Sequence, residues 1–491
     1  MIISSLYHQP PLEWAQIHFQ DLDLGDLRRD DRAVTIAAAM AQNPDHSLPQ
    51  LFFHPYDLKA AYNLFKHHQS SPDNLQSSHR ELVFEHLNKP GRYLLLEDTT
   101  DLSWAGNKPI SGLGPIGSGA KGLQGLHLHS TLAVRWDLQK DDCRPLVESP
   151  NQPRRPPVEV IGLADQQYLI RKRRPKSKKK NSSRASNNGK RESQCWDETT
   201  QRIGEAPQSD QLEWIRVCDR GADIYEFLIG CLKYGHRFVV RAAQDRALTE
   251  EGGGRSVGRL FEVARQQNSL GKFKLELRAR NGQRAREAEL NISYKQIELR
   301  SPQRPGSGVG SLQPVRCTVV RVWEQHPPKA VNGLEWILLT DLCVKDFWTA
   351  LEVALIYASR WIIEEFHKGL KSGTKAEELQ LERAEALFAA IAIKSVVALR
   401  LIEIRERVRI EPDRGAEQAG LTEEELGILR AASRREIKTV REVALAIGRL
   451  GGHLNRKGDG MPGWQTLMRG MTKLSNLVEG ARLALKLKKF G

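Results

Sequence analysis

Tyr357-Ala-Ser-Arg-Trp-Ile-Ile-Glu-Glu-Phe-His-Lys-Gly-Leu-Lys371 decides how the rest of the chain is read. It has no proline and a single glycine near its end, so it predicts a helix. At about 100° per residue, Tyr357, Arg360, Glu364, Lys368 and Lys371 fall within about 80° of one another. Ile356, Ile362, Ile363, Phe366 and Leu370 occupy the opposite arc. One face is therefore core. The other places one carboxylate among cations and a tyrosine, which suits a site handling both a metal and phosphates. A surface helix with ordinary ion pairs is the competing reading.

A chain of 491 residues can bury more than one core. Lys and Arg (74) exceed Asp and Glu (60) by 14. That excess points to a polyanion, with DNA or RNA ahead of an anionic membrane. No apolar run approaches the roughly 20 residues that span a bilayer, and no secretory signal opens the chain, so a cytoplasmic protein is expected. The six cysteines are scattered, with no Cys-x-x-Cys pair, which argues against a zinc site or a disulfide framework.

Residues 1–72 read as a helical domain. Arg28, Arg29 and Arg32 recur at helical spacing there and offer guanidinium groups to phosphates or guanine edges, unless Asp26, Asp30 and Asp31 pair with them. Arg92-Tyr-Leu-Leu-Leu-Glu-Asp98 reads as a buried strand ending in an acid. Leu94, Leu96 and Asp98 share one face, and Leu95 and Glu97 the other. A glycine-rich loop, residues 112–125, and a second strand follow. Residues 171–191 hold 11 cations, cannot bury apolar surface, and suit a nucleic-acid backbone. Leu212–Asp219 is again a strand ending in an acid, and Arg237–Arg241 a strand ending in a cation. From about 242 to 341 apolar and charged residues alternate as in antiparallel sheet. After Lys371 the chain reads as helical to its end.

Asp98, Asp219 and Glu364 are hard oxygen donors. Few carboxylates leave room for water and substrate phosphate, which is how Mg²⁺ is usually held. Two metals about 4 Å apart can activate an attacking oxygen and steady a leaving one in phosphodiester chemistry.

The chain resembles the DDE-type cut-and-paste bacterial transposases of the Tn-five group, within the insertion-sequence-four superfamily. The resemblance rests on Leu95-Leu-Glu-Asp-Thr-Thr100, Cys218-Asp-Arg-Gly-Ala-Asp-Ile224, Arg237-Phe-Val-Val-Arg241, Trp336-Ile-Leu-Leu-Thr340, the Tyr357–Lys371 helix and Arg449-Leu-Gly-Gly452. Leu24-Gly-Asp-Leu-Arg-Arg29 adds to it near the start. It implies an α/β fold: an RNase H-like catalytic core (73–241 and 336–408) interrupted by a β-strand insertion (242–335). Helical N-terminal (1–72, binding transposon ends) and C-terminal (409–491, dimerisation) domains flank it.

The resemblance also implies roles. Asp98, Asp219 and Glu364 become the catalytic, metal-binding triad for two Mg²⁺ ions, with Mn²⁺ able to substitute. Tyr357, Arg360 and Lys371 contact phosphates near the cleaved end, and Arg241 and Lys368 contact backbone. Trp336 stacks on a base flipped out of the DNA end, where a core tryptophan is the alternative. Arg28, Arg29 and Arg32 fall in the end-binding segment. The expected partners are double-stranded DNA, as transposon ends and target, and a second copy of the chain in a synaptic homodimer. The implied activity is cleavage of transposon ends with hairpin formation, hairpin resolution and strand transfer. A structure-specific nuclease and a catalytically silent DNA-binding relative are the alternatives. Asp101 and Gly221 depart from the family pattern: the first is expected to bring extra negative charge near the metals, and the second replaces an acid.

Overall fold

The computed structural model describes residues 9–105, 109–117, 123–136, 157–171, 194–252, 255–277, 286–302, 313–329, 331–410, 412–456 and 459–490. The basic tract, Arg171 apart, and part of the glycine-rich loop lie outside the described residues.

The chain opens with helices α1 (Pro11–Phe19), α2 (Leu27–Gln42), α3 (Leu48–Leu51), α4 (Pro55–Lys66), α5 (Pro72–Leu75) and α6 (Ser77–Leu87). Proline sits in the first turn of α1, α3, α4 and α5, where its missing N–H costs nothing. Asp26 caps α2 by accepting from the Arg28 amide.

The central sheet begins with β1 (Gly91–Ala105), β2 (Gly114–Pro115), β3 (Leu123–Arg135) and β4 (Glu159–Leu169). After α7 (Gln194–Ile203) come β5 (Leu212–Cys218), α8 (Tyr225–Lys233) and β6 (Arg237–Arg241). Strands β1, β3 and β4 pair antiparallel, whereas β5 lies parallel to both β1 and β6. Next come β7 (Ala247–Thr249), β8 (Ser256–Arg259), α9 (Leu260–Arg265), β9 (Gly271–Leu277), β10 (Arg286–Leu299), β11 (Val315–Trp323) and β12 (Glu335–Thr340). These form no separate sheet. Strand β12 pairs antiparallel with β6, and β11 with β12, so one twelve-stranded mixed sheet runs through the described residues.

Helices α10 (Phe347–Ser359), α11 (Trp361–Lys368), α12 (Ala384–Ile410), α13 (Glu423–Ser433), α14 (Val440–Leu450) and α15 (Trp464–Phe490) complete the chain. A reciprocal Thr422–Glu425 capping box opens α13, as its sequence predicts. One face of the sheet, through Leu94, Leu96, Val217, Val239 and Leu338, shares a core with α10–α12 and the N-terminal helices. The other, through Cys218, Phe238 and Val240, packs on Trp196 of α7 and on Tyr225 and Phe227 of α8. The C-terminal helices close a smaller core around Leu429, Val443, Ile447 and Leu474. Among the described residues no helix is long and apolar enough to cross a membrane.

Two local expectations change. Asp98 does not end its strand: β1 continues to Ala105, held by pairing with β3. What ends near Asp98 is the parallel ladder to β5, whose last pair is Glu97–Cys218. The Tyr357–Lys371 stretch is also not one uniform helix. At Arg360 it tightens, with Arg360 N donating to Tyr357 O and Ile363 N to Arg360 O across three residues (3.0 and 3.1 Å). At Gly369–Gly373 it widens into a π-helical turn, closed by Thr374 N donating to Gly369 O (2.9 Å).

Candidate active site

Where the parallel ladder between β1 and β5 ends, Asp98, still paired to β3, stands beside the point at which the chain leaves β5 for Asp219. Asp219 directly follows β5 and caps the short helical turn Arg220–Ala222, accepting from Gly221 N at 2.7 Å. Helix α11 crosses the same end of the sheet and carries Glu364. Arg360, at the junction of α10 and α11, lies between the acids. Its Nη1 donates to Asp98 Oδ2 at 3.2 Å, and its Nη2 to Glu364 Oε1. The arginine is nearly buried, while Asp98 and Glu364 remain partly exposed.

The electrostatics follow from one cation among three acids. Burial pushes the Asp98 carboxyl up, to about 6; Arg360 opposes this, and the charges of Asp219 and Glu364 add to it. Burial disfavours the Arg360 charge, but Asp98, Tyr357, Glu364 and Asp219 outweigh that and hold it above its ordinary value. Asp98 and Glu364 thus share one guanidinium, with Asp219 close enough to act on both it and Asp98. Among the described residues no three His, Cys, Asp or Glu side chains stand at metal-ligand spacing.

Other expected residues gather here. Tyr357 is buried within electrostatic reach of Arg241, whose Nη2 donates to the Glu335 carbonyl at 2.8 Å. Trp336 on β12 lies edge-on to Tyr357, with centroids 5.0 Å apart and planes at 69°. At 5% exposure it is a core side chain in this arrangement. Lys368 is exposed and Lys371 half-buried, further along the same helix and turn.

The N-terminal arginines form a separate group on α2. Arg32 pairs with Asp57 at 2.8 Å, and Arg29 contacts the His67 ring; Arg28 is exposed. The nearby acids are occupied elsewhere: Asp26 caps α2, and buried Asp30 accepts from Leu24 N at 2.9 Å.

Asp101 does not bring charge to the Asp98 face. Alternation puts it on the opposite side of β1, where its Oδ1 meets His127 Nδ1 at 2.6 Å. Gly221 lets the turn close tightly: a Cβ there would lie 3.0 Å from Asp219 Oδ1 and 3.2 Å from the Trp196 ring.

Of two further contacts, one was open to sequence reasoning and one was not. The Arg360–Glu364 contact was legible as an i,i+4 pair. The buried cluster on the reverse face was not. There Glu97 pairs with Arg216, which donates to Thr200 Oγ1 (2.9 Å) and contacts His236 Nδ1 (3.3 Å). A lone arginine in an apolar strand gives no sign of its partner.

Residues 11–70 match the family model described as Transposase DNA-binding, and residues 378–491 that of the Transposase Tn5 dimerisation domain. A chain that carries a transposase DNA-binding domain at one end and a transposase dimerisation domain at the other is a DNA transposase, with DNA as partner and a homodimer as its assembly. The two matches together support a Tn5-type transposase.

Proposed function

We propose that the chain is a DDE-type cut-and-paste transposase and that Asp98, Asp219 and Glu364 are its catalytic acids. The observation that carries this reading is the meeting of these acids, from two adjacent strands and one crossing helix, around a single arginine. The strand unit β4–β3–β1–β5–β6, antiparallel and then parallel, supports an RNase H-like core.

The donor set suits a divalent cation. The carboxylate oxygens are hard, Arg360 neutralises only part of their charge, and Asp98 is pushed up by its acidic neighbours as well as by burial. Two Mg²⁺ ions, or Mn²⁺ in their place, would supply activation of the attacking oxygen and stabilisation of the leaving one. Asp98, Asp219 and Glu364 would hold them.

The reaction is a series of phosphodiester exchanges. Water attacks one strand at the transposon end and frees a 3′-hydroxyl. That hydroxyl attacks the opposite strand and closes a hairpin. Water reopens the hairpin, and the 3′-ends attack target DNA. Tyr357, Arg360, Lys371, Lys368 and Arg241 grip the phosphates, and Arg28, Arg29 and Arg32 serve the end-binding domain. Stacking of Trp336 on a flipped base requires its packing against Tyr357 to open. Two copies hold two ends together.

The test incubates the protein with Mg²⁺ and a duplex carrying its element's termini, and resolves the products on a denaturing gel. Hairpin-length strands are expected. Asp98→Ala, Asp219→Ala and Glu364→Ala should each abolish cleavage and leave end binding intact. A variant that still cuts removes its acid from the proposed triad, and open ends with no hairpin at any time point favour a simple nuclease.

A further inference from the structure

Arg360 sits where a counter-charge for the acids is needed. Its guanidinium spans from Asp98 to Glu364, using separate nitrogens for the two carboxylates. It is also within electrostatic reach of Asp219. Its side chain is 9% exposed, against 20% for Asp98 and 32% for Glu364, so the cation lies deeper than the groups it bridges. The backbone fixes it there, because Arg360 marks the tight three-residue step joining α10 to α11. Tyr357, packed edge-on to the Trp336 ring, lies within electrostatic reach of it.

We infer that Arg360 is an internal placeholder cation: it bridges Asp98 and Glu364 in the DNA-free protein and must release them before they can take a divalent ion. This rests on the reading of the three acids as metal ligands. The physical reason is competition for the same lone pairs. A carboxylate oxygen that accepts a charge-assisted hydrogen bond from a guanidinium is a poorer ligand until that bond breaks. A second consequence concerns timing. A DNA phosphate entering the site offers the guanidinium a new bidentate partner, so DNA would draw Arg360 off the acids and raise their affinity for metal. DNA and metal binding would then be positively coupled, each favouring the form with Arg360 released.

The experiment measures Mn²⁺ binding to the full chain without DNA, from the loss of the free-ion electron paramagnetic resonance signal. Parent, Arg360→Met, Arg360→Lys and Asp98→Asn proteins are compared. Methionine keeps much of the apolar stem and removes the charge. Arg360→Met should bind Mn²⁺ about tenfold or more tightly than the parent. Arg360→Lys, with a point charge that cannot span both acids, should fall between them. If Arg360→Met fails to fold, seen as loss of its thermal transition, Arg360→Lys carries the comparison. Equal or weaker binding in the folded variants, with binding still lost in Asp98→Asn, overturns the placeholder and leaves the metal triad standing. Binding unaffected by Asp98→Asn in every background overturns the triad, and the placeholder with it.

Discussion

Glu97 and Asp98 are consecutive residues of one strand, yet their carboxylates live in opposite regimes. Glu97 points to the face covered by α7 and α8 and pairs there with Arg216, and both side chains are wholly buried. Burial by itself would raise its pKa, but Arg216 and His129 outweigh that and hold it at about 2. Asp98 points to the face crossed by α11, shares one arginine with Glu364, and is pushed up to about 6. The first acid has its own buried cation. The second competes for one. A matched pair is a structural element, whereas an under-compensated cluster at a partly open site is poised for a cation or a phosphate.

Breaking the matched pair should have the largest effect on stability. Glu97→Gln leaves the Arg216 guanidinium buried without its counter-ion, which costs about 3–5 kcal/mol. The expected reading is a much lower urea midpoint, with folded protein hard to recover. If Glu97→Gln unfolds at the parent's midpoint, the buried pair contributes nothing and the contrast between the two faces collapses.

Asp98→Asn should move stability the other way by a smaller amount. It removes one of three mutually repelling carboxylates, at the expense of one hydrogen bond to Arg360, for a net gain of about 1 kcal/mol. Its pH dependence has a definite sign. Asp98 is raised from the ordinary 3.8 to about 6, so between those values the folded protein binds a proton that the unfolded chain does not. Acidification through that window therefore stabilises the parent, and the advantage of Asp98→Asn should shrink as pH falls from about 6 towards 4. Glu97 behaves in reverse. Its folded value lies below the ordinary 4.5, so its contribution is complete above about pH 4.5 and is lost as pH falls towards about 2. Melting curves for parent and both variants across pH 2–8 test this; two gaps that close in the same window would refute it.

How much of this was legible depended on whether the signal was local. Period-two alternation in Tyr93–Asp98 put Leu94, Leu96 and Asp98 on one face and Leu95 and Glu97 on the other, and the core assignments agree. The capping box at Thr422 and the apolar arc of Ile362, Ile363 and Phe366 were equally local. The continuation of β1 through Thr99-Thr-Asp101 was not, because polar residues there are held by pairing with His129, Leu128 and His127 of β3. Nor could the strand Trp214-Ile-Arg-Val217 disclose that its arginine meets an acid 119 positions away. The tightening at Arg360 and the π-turn at Gly369 arise where the helix must fit between a sheet and α12, and helix propensity is blind to that.

Asp101 supplies the smallest test, and it bears on the same strand. Its side chain is 52% exposed, so solvent screens its contact with the buried His127 and the pair is weakly worth keeping. Asparagine keeps an oxygen that can accept from His127, so Asp101→Asn should change stability by under about 0.5 kcal/mol. Alternation places Asp101 with Glu97 and Thr99, away from Asp98. The same variant should therefore leave Mn²⁺ affinity unchanged, although its charge is only three residues from a proposed ligand. A weaker Mn²⁺ affinity in Asp101→Asn would mean that the strand twists enough to bring its third acid to the site. The division of β1 into a structural face and a chemical face would then fail at its exposed end, while holding at Glu97 and Asp98, where burial enforces it.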